Sequence, residues 1–136
     1  MNRRLDPLGW TLLLLGAGAV ANAVWMLLSP GHWYEELPAG VPDTGPLNLH
    51  FVRDIGCAFL AVGVAQVWAA FDRRRRLPLA AIAALFLLLH AGLHVYDTTS
   101  GFLDAGHWWL DLPGVYLPAA AMVAAALASA RQERLP

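Results

Sequence analysis

The sequence predicts an all-α polytopic membrane protein, a single four-transmembrane-helix bundle with both termini inside (N-in/C-in). Three observations carry this expectation. The 136 residues are 58% hydrophobic and only 14% charged, far from the balance of a soluble domain. The apolar residues gather into four runs, each near the ~20 residues that cross a ~30 Å hydrocarbon layer at ~1.5 Å per residue. The nine basic residues are all arginine, and all but Arg53 fall on one side of that four-span pattern, as the positive-inside bias requires. A soluble helix bundle needs a polar stripe along each helix, and these runs lack one.

The first run, Leu8 to Leu28, follows Arg3 and Arg4. No small-residue cleavage site leads from it into a soluble domain, so it reads as a retained span. Gly16, Ala17, Gly18 and Ala19 give it a patch on which another backbone can approach closely. The second run, Phe51 to Phe71, carries Gly56 and Gly63 two turns apart, to the same effect. Arg73, Arg74, Arg75 and Arg76 separate it from the third run, Leu79 to Tyr96. This basic turn reads as a topology determinant that also attracts anionic lipid; nucleic acid is not an expected partner. The fourth run, Gly114 to Ala130, is rich in alanine and precedes Arg131 and Arg134. Loops 29–49 and 97–113 are therefore expected to face outward. Asn22 and Gln66, amides within apolar runs, are expected to hydrogen-bond between helices. Trp33, Trp108 and Trp109 suit an outer interfacial belt, and Trp10 and Trp68 an inner one. Cys57, the only cysteine, excludes an internal disulfide and a multi-thiolate metal site.

The two outer loops resemble each other. Gly31-His32-Trp33-Tyr34 through Leu37-Pro38 echoes Gly106-His107-Trp108-Trp109 through Leu112-Pro113. This pattern suggests a duplicated helix–loop–helix unit, or two interfacial loops of convergent composition.

Polar chemistry concentrates at the outer end. All five histidines lie there, with seven of the ten acids. His90 and His94 are one helical turn apart, and Asp97 is three residues further, so all three share a helix face. His50 and Asp54 repeat the i, i+4 spacing where the second helix opens, with Arg53 beside them. Imidazoles and carboxylates on apolar helices need partners, because lipid solvates neither. The expected reading is a transition-metal site (Zn, Fe, Mn or Cu) with His90, His94, Asp97, His50 and Asp54 as ligands. Arg53, His107 and Asp111 would support it from behind. Two imidazoles and one carboxylate with an open position suit activated-water or oxygen chemistry, although the sequence names no substrate. Three alternatives stand beside it. One is b-type haem held by His50 opposite His90 or His94, with the surrounding acids counting against it. Another is a proton or cation path, for which nothing continues inward beyond Gln66. The last is a non-enzymatic hydrogen-bonded clamp that fixes helix register.

The segment Gly45-Pro46-Leu47-Asn48-Leu49-His50-Phe51-Val52-Arg53-Asp54-Ile55-Gly56 resembles small bacterial inner-membrane proteins of DoxX-like type. In these an Asn…Arg-x-x-Gly pattern opens the second of four helices. The resemblance implies a four-helix protein of the bacterial inner membrane. The apolar runs themselves make the lipid bilayer the expected surroundings, with a homo-oligomer or a membrane partner as an option. The resemblance implies no activity, and His90, His94 and His107 lie outside the pattern.

Overall fold

The computed structural model describes residues 5–134; its regular structure is all helix, joined by short turns, without strands among these residues. Arg3 and Arg4, part of the orientation expectation, lie outside the described residues. Four helices are long and apolar enough to cross a membrane: α1 (Pro7–Leu28), α3 (Leu49–Phe71), α4 (Arg76–Thr99) and the Leu112–Glu133 segment that ends in α6 (Leu117–Glu133). Two short helices lie between spans: α2 (Pro30–Glu36) after α1, and α5 (His107–Leu110) before α6. The ends of the bundle are named here the arginine end and the loop end.

Local chemistry sets the helix boundaries. Asp6 caps α1, its Oδ1 accepting from Gly9 N at 2.7 Å, and Pro7 stands at the first helical position, where its missing N–H costs nothing. Asn48 caps α3 by accepting from Phe51 N at 3.1 Å. Asp72 closes the turn from α3 to α4: its carboxylate accepts from the backbone of Arg74 and Arg75 and from the Arg75 side chain at 2.6 Å. Pro118 lacks the N–H that an α-helix would direct at Gly114. The chain over Leu112–Tyr116 accordingly runs as a π turn, with Leu117 N bonded to Leu112 O.

The interior is built of small residues. Ala69, Ala70, Ala80, Ala83, Ala119 and Ala125 are buried, while Phe51, Ile82, Leu85, Leu89 and Leu127 are exposed on the outside. Apolar bulk on the outside is what a lipid solvent allows. α1 packs chiefly on α3 and α4 on α6, and α3 joins the two pairs through α4. The α1–α3 crossing is the closest approach. A Cβ built on Gly16 would stand 2.8 Å from Val67 N and 2.9 Å from Gly63 O; one on Gly63 would stand 2.9 Å from Val20 N. The small-residue patches of the first two runs therefore mark a backbone-on-backbone contact.

The arginine end departs from the expected uniform basic turn. Arg73, Arg74 and Arg75 are exposed, but Arg76 is buried at 2% exposure. Its Nε and Nη2 donate to Ala69 O (3.1 Å) and Ala70 O (3.2 Å), carbonyls in the last turn of α3. Its Nη1 donates to Asp6 at 2.8 Å and, more weakly, to Gln132 at 3.5 Å. One guanidinium thus ties together α1, α3, α4 and α6. Arg76 is a structural hub and not a lipid-facing charge, because it continues the buried stripe Ala80, Ala83, Ala84 and Leu87 of α4. The same hydrogen bond from Arg76 holds the Asp6 carboxyl below its ordinary value, with Arg73 and Gly9 N adding to the effect.

Candidate functional site

His90 and His94 lie on the buried stripe of α4 one and two turns beyond Leu87. His90 is about 21 Å along the helix from Arg76, at ~1.5 Å per residue. Ring contacts hold it: edge-on to Phe59 at 5.5 Å, stacked on Phe86 at 6.2 Å, and edge-on to His94 at 4.7 Å between centroids. His94 has a different partner. Its Nδ1 lies 2.8 Å from Asp111 Oδ2, and Asp111 is completely buried between α5 and the π turn. A carboxylate only accepts, so in the neutral ring this bond takes the His94 proton on Nδ1 and leaves Nε2 as an acceptor.

The network continues through the loop end. His107, the first residue of α5, is buried at 1% exposure. Its Nε2 lies 3.2 Å from Asp43 Oδ2, and its Nδ1 lies 3.8 Å from Asp111 Oδ2. Asp43 sits in a single 3₁₀ turn, Val41–Thr44, between α2 and α3. Gly40 precedes that turn at φ +62° and faces His107 Cε1 at 3.0 Å from an added Cβ, so a side chain there would be both strained and obstructed. Tyr34 Oη anchors the other end of the strap by donating to Gly45 O at 2.7 Å.

His90, His94 and Asp111 all line a cavity of about 510 Å³ between the two helix pairs. Its walls are mostly apolar, from Leu14, Leu15, Phe59, Leu87 and Val115; small residues Gly18, Ala19 and Gly114 make room for it, and the 37–44 strap covers its loop end. Two buried acceptors in its lining have no protein partner, Gln66 Oε1 and Asp111 Oδ1. Gln66 does bridge helices as expected, but only weakly, through Nε2 to Met122 Sδ at 3.4 Å. Asn22 Oδ1 accepts from Trp33 Nε1 at 2.8 Å, which fixes α2 to α1.

The ligand set expected from sequence is not assembled as one group. His50 and Asp54 pair with each other at 3.3 Å on the outside of α3, with side chains 88% and 59% exposed. The reason is helical phase. α3 buries Val52, Gly56, Gly63 and Gln66, and at ~100° per residue His50 and Asp54 stand about 120° and 160° round from Gly56. Asp97 is half-buried one turn beyond His94 and does not line the cavity; its carbonyl accepts from Phe102 N and Leu103 N. Arg53 does not orient a carboxylate of the site; its Nε donates to Leu27 O at 3.3 Å, near the end of α1. Among the described residues, no three His, Cys, Asp or Glu side chains are grouped as metal ligands would be. The haem arrangement also loses its axial partner, since His50 lies off the cavity. The pieces expected only to support the site, His107 and Asp111, are instead its centre. Asp43 joins them through a contact with His107 that spans 64 residues of sequence.

The echoing loops are used differently. His32 accepts from Trp25 Nε1 at 3.0 Å in an exposed position, whereas His107 is buried in the network. The Asn…Arg-x-x-Gly pattern also has a local explanation: Asn48 caps α3, Arg53 reaches the end of α1, and Gly56 packs against Met26. No family model matches the chain, and comparison with curated proteins and with solved structures finds no match either. Nothing in these comparisons identifies the DoxX-like family.

Proposed function

We propose that this is a multi-pass protein of a bacterial inner membrane, oriented N-in/C-in, that receives a small, neutral, mostly apolar molecule within the bundle. The molecule's polar group would bond to His94 Nε2 and His90, with Asp111 fixing the His94 tautomer. The observation that carries this reading is the cavity. Its volume falls in the ~300–1,000 Å³ range of small-molecule sites, and its apolar walls end in a His–Asp pair and two unpartnered buried acceptors. Among the described residues no arginine lines it, which disfavours a phosphate headgroup. The orientation rests on the arginine distribution. Reporter fusions at the C-terminus and in loop 97–113 are expected to give cytoplasmic and periplasmic signals respectively; the reverse pattern would refute it.

Gentle extraction followed by mass spectrometry is expected to find a neutral lipophile near one per chain. Gly18→Leu tests its place. A Cβ at Gly18 meets no atom within 4 Å, and leucine is a better helix former by ~1 kcal/mol, so the fold should survive while the side chain occupies the cavity. Loss of the lipophile with unchanged melting supports the reading; its retention, or its absence from the unaltered protein, sinks it. A second reading keeps the metal. The bond from His94 Nδ1 to Asp111 is the arrangement by which a carboxylate orients a ligating imidazole. Metal found at one equivalent and lost in His94→Ala would favour that reading, and an absorbing Soret band would favour haem.

A further inference from the structure

The His–Asp contacts do more than fix one imidazole. They form a file from the cavity wall to the surface, from His94 to Asp111 (2.8 Å), across a 3.8 Å step longer than a hydrogen bond to His107, and on to Asp43 (3.2 Å), whose side chain is 58% exposed. We propose that these four residues form a proton-transfer chain that carries a proton from the cavity to the water at the loop end.

The hydrogen-bond pattern is set for that direction. His94 holds its proton on Nδ1 against Asp111 and presents the Nε2 lone pair to the cavity. His107 directs Nε2–H at Asp43 and sets its Nδ1 lone pair against the Asp111 carboxylate. His107 Nδ1 therefore faces Asp111 Oδ2, the oxygen that also accepts from His94, at 3.8 Å, and His107 Nδ1 and the other carboxylate oxygen, Asp111 Oδ1, are both buried without a partner. One added proton converts this opposed pair into a hydrogen bond. A proton arriving at His94 Nε2 releases the Nδ1 proton to Asp111. Asp111 passes it to His107 Nδ1, and His107 releases its Nε2 proton through Asp43 to water. Each residue gains one proton and loses one, so charge balances at every step. Both imidazoles end in the opposite tautomer, and ring rotation or return transfer resets them. The donor in the cavity is then a lipophile bearing a weakly acidic hydroxyl, and its conjugate base is the species left behind. Among the described residues the file does not continue toward the arginine end: Gln66, the next polar residue of the lining, is an amide that does not exchange its protons in this way. The chain therefore serves the cavity and does not cross the membrane.

The test needs no lipophile, so it stands or falls separately from the binding reading. The full chain, ¹⁵N-labelled at histidine in phosphatidylcholine nanodiscs, reports by NMR how fast the His94 ring N–H exchanges with water. His107→Asn keeps a polar side chain beside Asp43 but has no second ring nitrogen to pass a proton on. Exchange at His94 is expected to slow roughly tenfold or more, while the shift that marks a ring N–H bonded to carboxylate persists. A purely structural clamp predicts the same shift and an unchanged rate. Asp43→Asn, at an exposed position, is the second variant and decides the matter if His107→Asn does not fold. Slower exchange in it supports the chain, and an unchanged rate in every variant that folds overturns it.

Discussion

Arg76→Gln is expected to destabilise the bundle more than the loss of any other arginine. Removing one partner of a buried ion pair typically costs ~3–5 kcal/mol. Here the lower part of that range applies, because Asp6 keeps Arg73 at 3.2 Å and is 19% exposed. The carbonyls of Ala69 and Ala70 lose their donor in the same step. Thermal unfolding in one detergent should show a large drop for Arg76→Gln and little change for Arg74→Gln, whose side chain is exposed. Acid tests the same contact from the other side. The folded Asp6 carboxyl titrates below its ordinary value of 3.8. A depressed carboxyl contributes stability that is present above the unfolded value and lost as pH falls through the folded one. Asp6→Asn should therefore melt lower than the unaltered protein at neutral pH, and the gap should begin to shrink as pH falls below ~4. A gap that stays constant as the protein is acidified to its acid-unfolding point would mean the ion pair is not its source.

Gly63→Ala should be, with Gly16→Ala, among the most damaging single-methyl additions. The new Cβ would meet Val20 N at 2.9 Å and Gly16 O at 3.1 Å, both backbone atoms of α1. Backbone cannot rotate away as a side chain can, so α1 and α3 must separate along their whole crossing. Overpacking of this kind costs ~1–3 kcal/mol, against a gain of up to ~1 kcal/mol from alanine's better helix propensity. Gly92→Ala is the internal control, since a Cβ there meets nothing within 4 Å and only the propensity gain remains. Opposite signs of the two melting shifts are expected; equal shifts would remove close approach as the reason for glycine at 63.

The spans and the close α1–α3 crossing were legible in the sequence because both are local signals: run length, composition and small-residue spacing. The third helix was also legible in its polar face, since His90 and His94 follow the register of Ala80, Ala83 and Leu87. His50 and Asp54 misled because their mutual spacing says nothing about which way the pair points. Gly56 and Gly63 supply that phase, and they put the pair on the far side. Asp43 and Asp111 could not be joined to the histidines from spacing, because their contacts close loops of 64 and 17 residues. Arg76 looked like its three neighbours; only its register with Ala80 and Ala83 sets it apart.

The hub at Arg76 also constrains the order in which the chain is assembled. Its partners Asp6 and Gln132 lie 70 residues earlier and 56 residues later in the chain. When the first hairpin leaves the ribosome, the guanidinium has Asp6 and the Ala69 and Ala70 carbonyls but not α6 to cover it. Until the fourth span arrives it must stay hydrated at the bilayer surface. The fourth helix thus dries a pre-formed knot, and the arginine end of the bundle closes only when that helix has been inserted.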